Sequence, residues 1–198
     1  MATKNFTKGM VVPTLLLFLV LSACSATRHA PVRVGFPPYV IDTITIFPVV
    51  DLRIDKNSSG MEMPNNRITS VVKKDLIKKG YNVAILTDRA LVSELTEDDL
   101  SSEDASWIKQ IGPPNSKWIL LMGLLDHSTK LTFGTTSNAE VTGYLFSKDD
   151  GKILWHQKGI GKSGQGGIAG MLMGPMVNVE SIGYAATNLI SNFPYNSQ

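Results

Sequence analysis

Residues 118–125, Trp118-Ile119-Leu120-Leu121-Met122-Gly123-Leu124-Leu125, form a run with no charged group and no hydroxyl. So uniform an apolar stretch predicts a central strand covered on both faces, because a strand with one wet face would alternate. The rest of the chain can be read outward from it. Upstream, Ile44-Thr45-Ile46-Phe47-Pro48-Val49-Val50 is rich in β-branched residues and bounded by Asp42 and Asp51. It predicts a strand with Pro48 near its end or at an edge. Asp55 to Asn66 reads as a loop. Ile68, Val71, Val72, Leu76 and Ile77 then recur at helical spacing, with Gly80 where a left-handed cap belongs. Tyr81 to Leu86 predicts a second strand and Arg89 to Leu95 a short helix. Glu97 to Ser102 reads as an acidic break, with Ser102 capping a helix from Glu103 to Ile111 that Gly112-Pro113-Pro114 ends.

Downstream, Ala139 to Phe146 and Ile153 to Gly159 predict a hairpin turned at Lys148-Asp149-Asp150-Gly151-Lys152, and Asp126 to Ser137 a further hairpin with Gly134 in its turn. Ile182, Ala185, Ala186, Leu189, Ile190 and Phe193 mark a closing helix. The order strand, helix, strand, helix, strand, then antiparallel strands and a final helix is that of one mixed α/β domain. No internal repeat is visible.

The single cysteine, Cys24, cannot close an internal disulfide or build a thiolate metal site. Before it stand Lys4 and Lys8 with no acidic residue, then the apolar run Val11 to Leu21, then small residues. That is the layout of an export signal. As a helix from Met10 to Ala23 the run would be about 21 Å long against a hydrocarbon core of about 30 Å, too short to span, and Pro13 interrupts it.

Leu21-Ser22-Ala23-Cys24 resembles a bacterial lipobox. The resemblance implies a thioether from Cys24 to diacylglycerol and a further acyl chain on the new amino terminus, and two or more chains anchor stably where one does not. The competing reading is an ordinary cysteine behind a conventional signal cut near Ala26 or Ala30. Ser25, where an Asp would favour inner-membrane retention under the enteric sorting rule, points to the outer membrane. The sequon at Asn57 would matter only in a eukaryotic secretory pathway.

The expected division is a signal over 1–23, a lipidated tether over 24–40 with three prolines between Thr27 and Pro38, one domain over 41–194 and a tail over 195–198. Loss of Lys4 and Lys8 reduces 19 basic residues to 17, equal to the 17 acidic ones. A neutral chain is a poor nucleic-acid binder, which needs a basic patch.

Candidate chemistry is sparse. Gly159-Ile160-Gly161-Lys162-Ser163-Gly164 matches a dinucleotide loop, but Gln165-Gly166-Gly167 follows instead of a helix, so a surface or assembly loop is the better reading. In Asp126-His127-Ser128, neighbours on a strand point to opposite faces and cannot relay a proton. Ser163 lacks the last glycine of a nucleophile elbow, since Gln165 stands there. His29, His127 and His156 are scattered, and Glu97-Asp98-Asp99 lacks calcium-loop spacing. No catalytic residue, metal ligand or dissociable cofactor is therefore expected. Lys73, Lys74, Lys78 and Lys79 read as the wet side of an amphipathic helix, with contact to anionic head groups as the alternative.

Gly166 to Val177 carries no charge, three methionines and glycines at 166, 167, 170 and 174. Either it packs on its own sheet or it forms a docking, oligomer-forming or bilayer-dipping surface. The second reading picks out Gly167, Gly170, Met171, Leu172, Met173 and Gly174.

The lipobox, Ile44-Thr45-Ile46-Phe47-Pro48, Gly151-Lys152-Ile153-Leu154-Trp155 and the segment Ser163 to Leu172 together resemble an uncharacterised family of bacterial outer-membrane lipoproteins that includes a neisserial surface vaccine candidate. The resemblance runs from Cys24 to about Leu189. It implies a fold similar to the amino-terminal domain of TolB and to auxiliary lipoproteins of ABC-type transport. It also implies an envelope-assembly role beside a curli-secretion-like lipoprotein partner, and it supplies no active-site residues. The expectation is a periplasm-facing outer-membrane lipoprotein that binds other envelope lipoproteins or its own copies. The alternatives are an envelope enzyme with a dispersed site and a carrier of a small ligand such as a lipid.

Overall fold

Trp118–Thr132 forms β4, and its first half is buried on both sides. The computed structural model describes residues 41–54, 64–102 and 104–196. Cys24, the signal over 1–23, the tether over 24–40, His29 and residues 55–63 of the predicted loop lie outside them.

β4 lies in a six-stranded sheet with β1 (Thr43–Ile46), β2 (Val50–Asp51), β3 (Asn82–Ile85), β5 (Gly134–Ser147) and β6 (Lys152–Gly166), in the order β3-β1-β4-β5-β6 with β2 also paired to β4. β1 and β2 run parallel to β4, and β3 runs parallel to β1. Pro48 explains why the predicted strand over Ile44 to Val50 divides in two. Ile46 faces Leu120 and Val50 faces Gly123, so four steps on one strand match three on the other. The surplus residue bulges out at the position that has no N–H to give the ladder. Phe47 N still donates to Leu120 O, and Val49 N donates to Asn65 Oδ1.

β5 and β6 complete two long antiparallel hairpins, turning at Gly134 and at Gly151 as the sequence predicts. Both glycines have positive φ, 126° and 68°.

Alternation along β4 sends side chains into two cores. Leu120, Met122 and Leu124 pack with Ile68, Val72 and Leu76 of α1 (Asn65–Lys78) and with Ile182, Ala185 and Leu189 of α4 (Gly174–Ser191). Ile119 and Leu121 pack on the other side with Phe47, Phe146, Val92, Leu100 and Ile108. The double cover that WILLMGLL demands is therefore present. On the second side it is supplied by short pieces: a 3-10 turn at Arg89–Leu91, α2 (Glu97–Ser101) and a 3-10 helix at Ser106–Gln110.

Three local expectations need correction. Glu97 to Ser102 is no break, because Thr96 and Asp99 form a capping box that starts α2 there, and Ser102 ends that helix instead of capping the next. The helices expected over Arg89–Leu95 and Glu103–Ile111 shrink to 3-10 turns. The Gly159–Gly164 stretch is neither a phosphate loop nor a surface loop. It is edge strand β6, and α4 crosses directly over it. A Cβ at Gly159 would fall on the Ala185 carbonyl oxygen, and one at Gly161 on that of Ser181. The glycines are there so that helix and strand backbones can touch.

Candidate functional site

The charge-free segment Gly166 to Val177 is helical. It forms α3 (Gly167–Leu172) and, after Met173, the opening of α4, whose first turn contains Pro175. The closing helix thus starts eight residues before Ile182, since proline is tolerated in a first turn.

α3 is seated by its glycines on the β4–β5 turn and on the end of β6. Gly167 takes a φ of 71° and donates its N–H to Phe133 O at 3.2 Å. Gly170 lies so close to Gln165 that a Cβ would strike the Gln165 carbonyl oxygen. A Cβ at Gly174 would make ordinary van der Waals contact with the Thr135 side chain. Of the six residues singled out by sequence, then, the glycines belong to the seat, and Met171, Leu172 and Met173 supply the exposed surface.

That surface extends further than the sequence indicated. Leu131 is 63% exposed, Phe133 81%, Ile168 73% and Leu172 79%, and Met171 and Met176 are about half exposed. Leu131 and Phe133 stand at the far tip of the β4–β5 hairpin, and the Gly167–Phe133 bond joins that tip to α3. One end of the domain therefore carries exposed apolar side chains from three chain segments: the β4–β5 hairpin tip, α3 and the start of α4. Fully burying an apolar side chain of this size is worth roughly 1.5–3 kcal/mol, and these side chains forgo a part of that in proportion to their exposure. The signal for the missed pair was an apolar i, i+2 pattern beside Gly134 inside an otherwise polar run.

Beneath the start of α4 the sheet is polar. Thr129 Oγ1 donates to Asn178 Oδ1 at 2.6 Å, Ser163 Oγ donates to Glu180 Oε2 at 2.7 Å, and the Ser137 and Ser181 hydroxyls lie 2.9 Å apart. Arg53 holds Asp51 in a bidentate pair with both contacts at 2.8 Å. His127 is buried here, and neither ring nitrogen has a hydrogen-bond partner. Burial, with the nearby Arg53 guanidinium adding to it and Asp126 opposing, pushes its pKa down from the ordinary 6.5.

The sequence triad stays apart, as strand alternation requires. Ser128 Oγ donates to Asp126 Oδ2 at 3.4 Å while His127 points to the other face. His156 stacks on Tyr144 with ring centroids 4.1 Å apart, and its Nε2 lies 3.1 Å from Thr142 Oγ1. Burial and then Lys158 lower its pKa, with Glu97 opposing.

The basic side of α1 is partly taken up by the chain itself. Lys78 pairs with Asp75, and Lys79 Nζ donates to Ser191 O and lies over the Tyr195 ring. An open cleft of about 320 Å³ sits at the carboxyl ends of β1 and β3, with Asn65, Asn66, Thr69 and Arg89 in its wall. Pro48, Ile85 and Leu86 line it as well, so its wall is mixed polar and apolar.

No family model matches this chain, and no curated protein matches it. Solved structures of similar layout include a PelC dodecamer from Paraburkholderia phytofirmans, 12% identical over 79% of this chain and 92% of that one, with a TM-score of 0.47. Lipoprotein GNA1162 from Neisseria meningitidis is 18% identical over 69% of this chain and 96% of that one, with a TM-score of 0.43. A minor lipoprotein from Acinetobacter baumannii is 8% identical over 78% and 91%, with a TM-score of 0.41. Bacterial lipoproteins, one of them neisserial, thus stand among the structures that this chain is similar to.

Proposed function

We propose that this chain is an acylated envelope protein, held at the periplasmic face of the outer membrane through Cys24, which acts by binding as an accessory factor in envelope assembly or transport. The acyl chains are its only cofactor-like groups. Its working surface is the exposed apolar end formed by Leu131, Phe133, Ile168, Met171 and Leu172. That end is the observation that carries the reading, because a domain with two filled cores leaves these side chains uncovered, and contiguous exposed apolar surface marks an interaction site. The lipobox supports the anchor. The separation of Asp126, His127 and Ser128 removes the one triad the sequence offered for an enzyme.

Two measurements test this function. Labelled palmitate is incorporated into the wild type and not into Cys24→Ser. In parallel, Ile168→Asp with Leu172→Asp keeps the fold, since both side chains are exposed, and lowers the recovery of envelope components with the gently solubilised protein. Full recovery with the folded double variant would remove the proposed surface.

A further inference from the structure

We infer that the component engaged by the apolar end is the interfacial layer of a bilayer rich in anionic head groups, so that the domain is held by its tip as well as by its lipid. This rests on the reading of Cys24 as acylated, and it names the partner of the surface described above.

Shape is the first argument. Leu131 and Phe133 stand exposed at the end of a hairpin, and Ile168 and Leu172 on the short helix beside it. A fluid interface closes around such side chains without needing a complementary shape.

Charge is the second. Between His127 and Ala139 the only charged residue is Lys130, and between Gly159 and Val179 the only one is Lys162. Lys130 faces Thr136 and Lys162 faces Asn138, which places both on the sheet face away from α4, set back from the tip by a few residues. Neither makes an ion pair among the described residues. The acidic group next along the helix, Glu180, accepts from Ser163. An apolar tip with two long cationic side chains behind it suits an acyl boundary overlaid by phosphates, to which lysines can snorkel.

Reach is the third. β1 begins beside the start of β4, since Ile44 faces Trp118, so the chain enters the domain at the end opposite the tip. From Cys24 to Ile41 is 17 residues, spanning at most about 60 Å. The fifteen residues of β4 span about 50 Å. A lipid on Cys24 therefore leaves the tip able to reach the same bilayer, and tethering makes a weak second contact effective.

The test uses the full acylated chain in vesicles of phosphatidylethanolamine and phosphatidylglycerol, with single Phe133→Trp and Leu172→Trp variants. The added indoles should emit to the blue and be quenched by brominated acyl chains, while the wild-type emission from Trp107, Trp118 and Trp155 stays unchanged. Lys130→Glu with Lys162→Glu should reduce that quenching in phosphatidylglycerol vesicles. Added indoles that escape bromine quenching overturn the inference. So does a blue shift without quenching, which would put a protein or a second copy there. The intact mass reports acylation separately. An unacylated Cys24 defeats the anchor alone, and adding vesicles to that chain still shows whether the tip inserts.

Discussion

Gly161 of β6 and Ser181 of α4 touch backbone to backbone: the carbonyl oxygen of Ser181 occupies the place where a Cβ on residue 161 would be. Gly159 repeats the arrangement one helical turn on, against Ala185. These two contacts set the depth at which α4 settles, and with it the packing of Ile182 and Leu189 in the core. Gly161→Ala should destabilise the domain by about 1–3 kcal/mol, as overpacking does when the obstacle is backbone. Urea unfolding measures it. Gly166→Ala is the control, since nothing lies within 4 Å of the missing Cβ there. Equal stability of the two variants would show that helix and strand are not in contact.

His127 gives the fold a pH dependence. Burial and Arg53 hold its folded pKa below the ordinary 6.5, so the native state keeps the ring neutral while the unfolded chain takes up a proton first. Stability should be full above about pH 6.5 and fall as the pH drops from there towards the folded value. His156, shifted the same way, adds to that slope. His127→Leu removes two buried ring nitrogens that have no partner and should flatten part of the decline. Because burying an unpaired polar group costs about 1–3 kcal/mol, the variant should be no less stable than wild type at pH 7. Unfolding midpoints between pH 7.5 and pH 5 decide it. An unchanged slope would mean the ring is solvated.

The sheet and the two main helices were legible because burial on one or both faces stamps a period on Trp118–Leu125, on Ile68–Leu76 and on Ile182–Phe193. The cover over Ile119 and Leu121 was not, because elements of three to five residues carry too few repeats to show one. Glycines misled for a related reason. In Gly159-Ile160-Gly161 the missing side chains answer to a helix some twenty residues further along, and a local motif cannot show that partner. Met171 and Leu172 were legible as apolar side chains in need of cover. Phe133 was not, because its membership of the same surface depends on the fold bringing the β4–β5 turn beside Gly167.

The capping box makes α2 separable from the core it covers. Asp99 Oδ2 accepts from Thr96 N at 2.8 Å, while Thr96 Oγ1 accepts from Asp99 N. Thr96→Ala should cost about 1 kcal/mol. Thr96 Oγ1 also donates to Asp99 Oδ2 at 2.6 Å, and this bond, with that from Thr96 N, holds the Asp99 pKa below its ordinary value, so their contribution is present above the usual carboxylate range and lost as pH falls through the depressed value. Leu100, fully buried against Ile119 and its neighbours, depends on this turn. Amide exchange at Glu97–Ser101 should therefore speed up in Thr96→Ala while β4 amides change little. Uniform acceleration across the sheet would show that α2 and the core open together.

β6 is a fifteen-residue strand at the edge of the sheet, the kind of edge that recruits another strand unless it is blunted. Here the blunting is specific. Asn188 of α4 reaches past the strand to donate Nδ2 to Ile160 O at 2.8 Å, and Gln157 Nε2 donates to Lys158 O at 3.2 Å. Two carbonyls that a neighbouring strand would use are already occupied, and Lys158 and Lys162 would meet like charge in an antiparallel copy centred on Ile160. Asn188→Ala combined with Gln157→Ala should free those carbonyls and raise self-association through the edge; Asn188 is exposed, while Gln157 is buried, so the second change also costs some stability. Adding Lys158→Thr and Lys162→Thr should raise it further. Sedimentation velocity across a concentration series reads the outcome. A quadruple variant that sediments like the wild type at every concentration would show that the twist of β6, and not its side chains, keeps the edge unpaired.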